Sequence, residues 1–358
     1  MKRSLQTLFL LLLLAFPGWA QQGKNGAGTI TAAGTIVNTY TRLTANAAAG
    51  SNNLSVTNSA LTGGAFGATA LATGDLVMLI QHQGASITTT TTDATYGAVS
   101  AYNNAGFYEL AEVRSVPNST SIVVTCALQN SYTATGKVQV VRMPRYSTLT
   151  LNANTSVTAP MWDGATGSVV AVDVRGDITL NTGAIIDVSG KGFRGGALNN
   201  SPTLVNGAAS TDYVYATNAS GAEKGESIAG YQADYDALNG RFGRGAPANG
   251  GGGGNNHNAA GGGGANVSSI AWTGQGNPDA TYNTAWALET PSLANTTSGG
   301  GGRGGYSYSA NANDPSKTAP GNALWGGDNR LVRGGLGGRP LSLTGGAIVF
   351  WRRRWCRR

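Results

Sequence analysis

Glycine constrains this chain more than any other feature. It recurs in runs from Gly190 onward: Gly195-Gly196, Gly250 to Gly254, Gly261 to Gly264, Gly299 to Gly302, Gly304-Gly305, Gly326-Gly327, Gly334-Gly335 and Gly337-Gly338. Runs without side chains cannot build a conventional core, so two outcomes are open. They are flexible linkers, or they pack as extended, side-chain-free strands against one another, as collagen does where backbones crowd. Tyr231, Tyr235, Phe242, Trp272, Tyr282, Trp286 and Trp325 recur between the runs, and a pure linker has no use for them. An ordered glycine-rich layer is therefore expected over 193–346.

The first residues address the chain to export. Lys2 and Arg3 precede an unbroken apolar run from Leu8 to Phe16, then Pro17-Gly18, and the small-residue site Gly18-Trp19-Ala20 follows. This is the order of a secretory signal peptide over 1–20, and the run is shorter than the roughly 20 residues of a spanning helix. A short membrane anchor is the other reading. No later segment is apolar for long enough to cross a bilayer as a helix, so the mature chain is expected to be secreted or at the cell surface.

The net charge of +7 invites a nucleic-acid reading that its distribution removes. Of 24 basic residues, Lys2 and Arg3 leave with the signal, and Arg352, Arg353, Arg354, Arg357 and Arg358 crowd the end, which leaves the body balanced against 17 acidic residues. No basic binding face is indicated. The tail itself, Trp351-Arg-Arg-Arg-Trp-Cys-Arg-Arg358, can be written in codons that give a glycine run when read one base later. Residues 347–358 are accordingly read as out of frame, against the alternative of a cationic tail for lipid or lipopolysaccharide. Cys126 then stands alone on an apolar strand as a small buried hydrophobe; a disulfide with Cys356 is the alternative.

Residues 21–145 read as an antiparallel β domain, polar strands and loops up to about Ala70, then four clear strands. These are Leu76 to Ile80, Gly106 to Arg114, Ser121 to Cys126 and Lys137 to Arg142, with Pro117-Asn118 as hairpin chemistry between the second and third. A small antiparallel sandwich or barrel follows. Over 146–192 the pattern changes. Leu149-Thr-Leu-Asn152 returns 29 positions later as Ile178-Thr-Leu-Asn181, each followed by a second short piece, with Ser168 to Val174 as a strand between. Such units are β-solenoid-like rungs that bury their faces on one another; an ordinary sandwich is the alternative.

Chemistry is sparse. His82 and His257 are the only histidines and fall in different modules, so a triad or histidine metal site has little to draw on. No Gly-Lys-Ser/Thr follows any glycine run, which removes the phosphate-binding reading. Asp173, Asp177 and Asp187 on or beside the rungs, and Asp234 with Asp236, could serve as an acid–base pair or hold a structural calcium ion. Asp173, alternating with Val172 and Val174, is expected to point outward to solvent.

Gly74-Asp-Leu-Val-Met-Leu-Ile-Gln-His-Gln-Gly84, Tyr102-Asn-Asn-Ala-Gly-Phe-Tyr-Glu109, Gly338-Arg-Pro-Leu341 and the Asn-rich polyglycine segments together resemble the glycine-rich adventurous-gliding-motility-type surface proteins of Gram-negative bacteria. The resemblance covers roughly Asp75 to Gly346. It implies a cell-surface location, no known catalytic residues, no cofactor, and passage of a full-length form through outer-membrane secretion machinery. The reading is an all-β, non-enzymatic exported structural or adhesive protein that meets glycans or cell-envelope surfaces, with Trp272 and Trp286 as candidate sugar-stacking residues. The alternative is an exported β-helix polysaccharide lyase or hydrolase.

Overall fold

The computed structural model describes residues 22–90, 96–199, 213–217, 221–238, 240–254, 261–265, 335, 337–339 and 341. Residues 1–21, the arginine-rich tail, His257, Trp272, Tyr282, Trp286 and Trp325 lie outside them. Among the described residues the chain is all-β, apart from a four-residue helix at Ala233–Asp236 and two short 3-10 turns. In chain order β1 (Gly28–Ile30) and β2 (Thr35–Ile36) come first. A long block follows: β3 (Thr39–Arg42), β4 (Asn53–Ser55), β5 (Leu76–Gln81), β6 (Ser86–Ile87), β7 (Val99–Ala101), β8 (Tyr108–Asn118), β9 (Ser121–Val124) and β10 (Val138–Met143). The last group is β11 (Arg145–Tyr146), β12 (Leu149–Leu151), β13 (Ser156–Thr158), β14 (Asp173–Val174), β15 (Ile178–Leu180) and β16 (Ile185–Ile186).

The sequence repeat is a spatial register. β12 pairs parallel with β15, Leu149 beside Ile178 and Leu151 beside Leu180, and beyond a corner β13 pairs parallel with β16. Thr158 Oγ1 donates to the Asp187 carbonyl 29 residues on. A rung that the sequence did not display lies on the other side: β1 pairs parallel with β12, and β2 with β13. The stack is thus three rungs deep, with Ile30, Leu149, Leu151 and Val157 buried along one line. Each corner turns through a left-handed residue, Gly34 (φ 73°), Asn154 (φ 59°) or Gly183 (φ 74°), the conformation that favours glycine and asparagine. Rung 3, formed by β15 and β16, leaves its apolar residues exposed.

Between rungs 1 and 2 the chain makes an excursion into a six-stranded antiparallel sheet of order β3-β10-β5-β8-β9-β4. A bridge from Leu43 to Val56 joins its two ends, so the sheet curls back on itself. Leu54, Val77, Leu79, Val113, Ile122, Val124, Val138 and Val140 fill the inside. Leu76, Met78, Val141 and Met143 pack the other face against Val169 and Ala171. Burial on both faces explains why Leu76 to Ile80 is continuously apolar. The hairpin turn falls at Ser119-Thr120, since Asn118 pairs with Ser121, and the Asn118 side chain accepts the Thr120 N–H. Pro117 therefore lies inside β8, where the register is irregular and a missing N–H is tolerated.

Three expectations change here. Of Ser168 to Val174 only Asp173 and Val174 form a strand, on β11. The rest is held by side-chain amides that imitate a backbone ladder: Gln139 exchanges two hydrogen bonds with Gly167, and Asn38 two with Ala171. Asp173 is buried, not outward, because the face opposite Val172 and Val174 is covered by Arg145, whose Nε donates to it at 3.1 Å. Cys126 is half-buried and is not a free thiol, so the buried-hydrophobe reading of it does not hold.

Among the described residues the glycine runs at 250–254, 261–264 and 337–338 pack together as a layer, while Gly299 to Gly302, Gly304-Gly305 and Gly326-Gly327 lie outside them. Gly262 N donates to Gly252 O, Gly225 N to Gly251 O, Gly253 N to Gly243 O and Gly338 N to Gly263 O, all without regular strands. A Cβ on Gly251, Gly252, Gly253 or Gly335 would land on a neighbouring run's carbonyl oxygen, that of Gly262, Arg244, Ala222 or Gly252 respectively. Glycine is needed there because the backbones touch.

Candidate functional site

The densest polar chemistry among the described residues converges on Glu226, whose side chain is 0% exposed. One carboxylate oxygen accepts Gln83 Nε2 at 2.8 Å and Trp162 Nε1 at 2.9 Å, and the other accepts Arg194 Nε at 2.8 Å and the Arg194 backbone N–H. Gln83 follows β5 in the sheet, Trp162 follows rung 2, Arg194 follows rung 3, and Glu226 belongs to the glycine layer. One carboxylate therefore ties four parts of the fold together. Burial alone would raise its pKa; the hydrogen bonds from Arg194 and Trp162 outweigh that and hold it below the usual carboxylate value.

His82 lies against the same centre, its ring 4.6 Å from that of Trp162. Its Nε2 faces Gln139 Nε2 at 2.7 Å and so acts as the acceptor, which assigns the neutral tautomer with the proton on Nδ1. Burial lowers its pKa from 6.5 to about 4, with Glu226 pulling weakly the other way. The unfolded chain then takes up the proton first. Stability contributed by neutral His82 is full above about pH 6.5 and is lost as pH falls towards 4, a drop of about 2–3 kcal/mol. Urea unfolding at pH 7 and pH 4.5 should show that slope, and His82→Gln should flatten it; an unchanged slope would show that other groups carry it.

The remaining buried charges are also engaged. Arg142 donates to Asp75 at 2.6 Å and to the carbonyls of Leu61, Thr69 and Ala70, and lies 3.7 Å over the Phe66 ring. Arg145 bridges Asp173 of β14 and Glu112 of β8, joining rungs to sheet. Lys224, 1% exposed, donates to the carbonyls of Gly240 and Phe242 over the Tyr96 ring, and burial pushes its pKa well below the ordinary lysine value.

The carboxylates weighed as catalytic or calcium-binding have separate partners. Asp187 is exposed and lowered by Ser189; Asp234 accepts the Tyr231 N–H; Asp236 pairs with Arg241. Among the described residues no group of three or more His, Cys, Asp or Glu is placed to hold a metal ion. Asp163, Asp187, Glu223 and Glu226 are all held below the usual carboxylate value, chiefly by the hydrogen bonds they accept. The arrangement accepts hydrogen bonds and fastens layers. Trp272 and Trp286, the candidate sugar-stacking residues, fall outside the described residues.

No family model and no curated protein matches the chain. Among solved structures it is similar in part to three phage tailspikes. One is gp61 of Pseudomonas phage phi297, at 13% identity and a TM-score of 0.20, over 42% of this chain and 20% of that one. The second is the Gp54 tailspike of Acinetobacter baumannii bacteriophage AP22, solved in complex with A. baumannii capsular saccharide, at 12%, 0.22, 45% and 28%. The third is gp49 of Pseudomonas phage LKA1, at 14%, 0.19, 39% and 29%. The chain spans less than a third of each tailspike, and likeness at these scores adds nothing to the fold read from the strands. No helix among the described residues is long and apolar enough to cross a membrane.

Nothing in the sequence marked Glu226 as a centre. The available signal was the tight charge group Glu223-Lys224-Gly225-Glu226 in a stretch otherwise dominated by glycine, alanine and asparagine.

Proposed function

We propose that this chain is an exported cell-surface structural and adhesive protein without catalytic activity, a member of the glycine-rich gliding-motility-type group. An N-terminal signal peptide carries it through the inner membrane, and a full-length form passes the outer membrane by dedicated secretion machinery. Its Thr-, Asn- and Gly-rich surface contacts glycans or envelope surfaces at many weak points, whose combination holds strongly. The observation that carries this reading is the Glu226 junction: buried charge here fastens rungs, sheet and glycine layer into one body, with each donor already engaged. That is the construction of a rigid shaft rather than of a substrate cleft.

The test is retention on a glycan array, run beside an assay for unsaturated or reducing sugar ends released from acidic polysaccharides with calcium. Clustered protein should bind about a hundredfold or more tighter than monomer, and Trp272→Ala with Trp286→Ala should weaken retention by about tenfold, without turnover. Release of sugar ends would sink the non-enzymatic reading in favour of the lyase or hydrolase; no retention on any glycan would sink the adhesive one.

A further inference from the structure

We propose that the exposed edge of rung 3 is the interface of a two-fold dimer, in which rung 3 of one copy of this chain lies on rung 3 of a second copy. The inference holds whether or not the surface binds glycans.

The line of apolar residues buried through the stack ends abruptly. Ile30, Leu149, Leu151 and Val157 are 5%, 1%, 0% and 1% exposed, whereas on rung 3 Ile178, Leu180, Ile185, Ile186 and Val188 are 48%, 51%, 51%, 44% and 41% exposed. Leu149 and Leu151 sit beside Ile178 and Leu180 in register, so these are the same positions with and without a neighbour. Among the described residues β15 and β16 are edge strands, paired on one side only. Between Ile178 and Ile186 stands no charged residue and no proline, and the pairing with rung 2 runs without a bulge. The devices that keep a sheet edge from pairing with another chain are therefore missing at this one.

Three observations select a second copy as the occupant. First, the described chain after rung 3 is taken up elsewhere. Val214, Ile228, Ala248 and Leu341 are buried with Ala85, Ile87 and Tyr96, and Ala265 and Gly335, which flank 266–334, both sit in the glycine layer. Second, the two ends of the stack are unlike. Rung 1 buries Ile30 and Val37 and shows Thr29, Thr31 and Thr35, with Ile36 its one exposed large apolar side chain. Stacking head to tail would set the apolar edge of rung 3 on threonines, whereas a second rung 3 matches it, which is the self-complementary contact of a two-fold dimer. Third, the patch flanks a single corner, with β15 before Gly183 and β16 after it. A two-fold axis through that corner lays β15 of each copy antiparallel along β16 of the other. The contact sets apolar rung on apolar rung, as rungs 2 and 3 already do within the chain.

Sedimentation and hydrogen exchange on the full chain, at about 1 and about 100 μM, decide it. The mass should double between the two concentrations, and amides of 178–188 should exchange about tenfold more slowly at the higher one. Ile178→Asp/Ile185→Asp should leave a monomer without that slowing, whereas Ile178→Val/Ile185→Val should keep both. Thr179→Lys puts a milder charge on the same edge, should also leave a monomer, and serves where the aspartate pair fails to fold. Equal protection of β12 amides throughout reports that the rung beneath is intact. A single-copy mass at the higher concentration overturns the proposal. Equal protection of 178–188 at both concentrations overturns it too, and assigns the cover to the chain itself. So does a mass that climbs past two copies, the mark of head-to-tail stacking, and so does a dimer that survives the charged substitutions.

Discussion

Glu226→Ala is expected to destabilise the protein by about 3–5 kcal/mol, the cost of breaking a buried charged network by removing one partner. The substitution strands Trp162 Nε1 and Gln83 Nε2 as buried donors without an acceptor, each costing about 1–3 kcal/mol. Arg194, with its side chain 39% exposed, can turn to water and contributes least. Glu226→Gln keeps an acceptor and should cost only about 1–2 kcal/mol. Urea unfolding reads both as a shift in midpoint, and a loss under about 1 kcal/mol for the alanine variant would show that the four parts are held by other contacts.

Gly252→Ala should cost about 3 kcal/mol or more, because its Cβ would fall on the Arg244 carbonyl and two backbones would have to part. Gly192→Ala makes the matched control. It is exposed, meets nothing within 4 Å and lies outside the left-handed region, so its effect should stay within about 0.5 kcal/mol. Thermal unfolding of the two variants separates a layer that needs glycine for contact from a segment that is merely rich in it. Equal, small effects would return the runs to the status of linkers.

The sequence displayed what side chains repeat and concealed what partners decide. Rungs 2 and 3 were legible because Leu149-Thr-Leu-Asn and Ile178-Thr-Leu-Asn carry the same residues at a fixed spacing. Rung 1 was not, because Gly28 and Thr35 stand where apolar residues stand later, and an entire sheet interrupts the spacing. Four of the sheet's six strands, β5, β8, β9 and β10, were legible from their β-branched and aromatic runs. The exposure of Asp173 was misread because alternation assumes one wet face, and Arg145 covers that face. The order of the glycine layer could be argued from its aromatics, of which Tyr235 is fully buried, its hydroxyl donating to the Gly225 carbonyl. The Glu226 junction could not be, since it depends on residues far apart in the chain.

The excursion between rungs 1 and 2 also sets an order of assembly. Joining Gly28 to Leu149 directly would mean closing a very long flexible loop, an entropic cost that grows with length. The sheet removes it, because its first and last strands are neighbours: β3 pairs with β10, Thr39 beside Arg142. Once those two strands zip, the chain re-enters the stack next to where it left, and the first rung finds its partner by a short local step. A chain emerging N-terminus first must therefore leave β1 and β2 waiting until β12 and β13 have appeared, so a single proteolytic cut in the sheet before that moment would cost the stack its first tier.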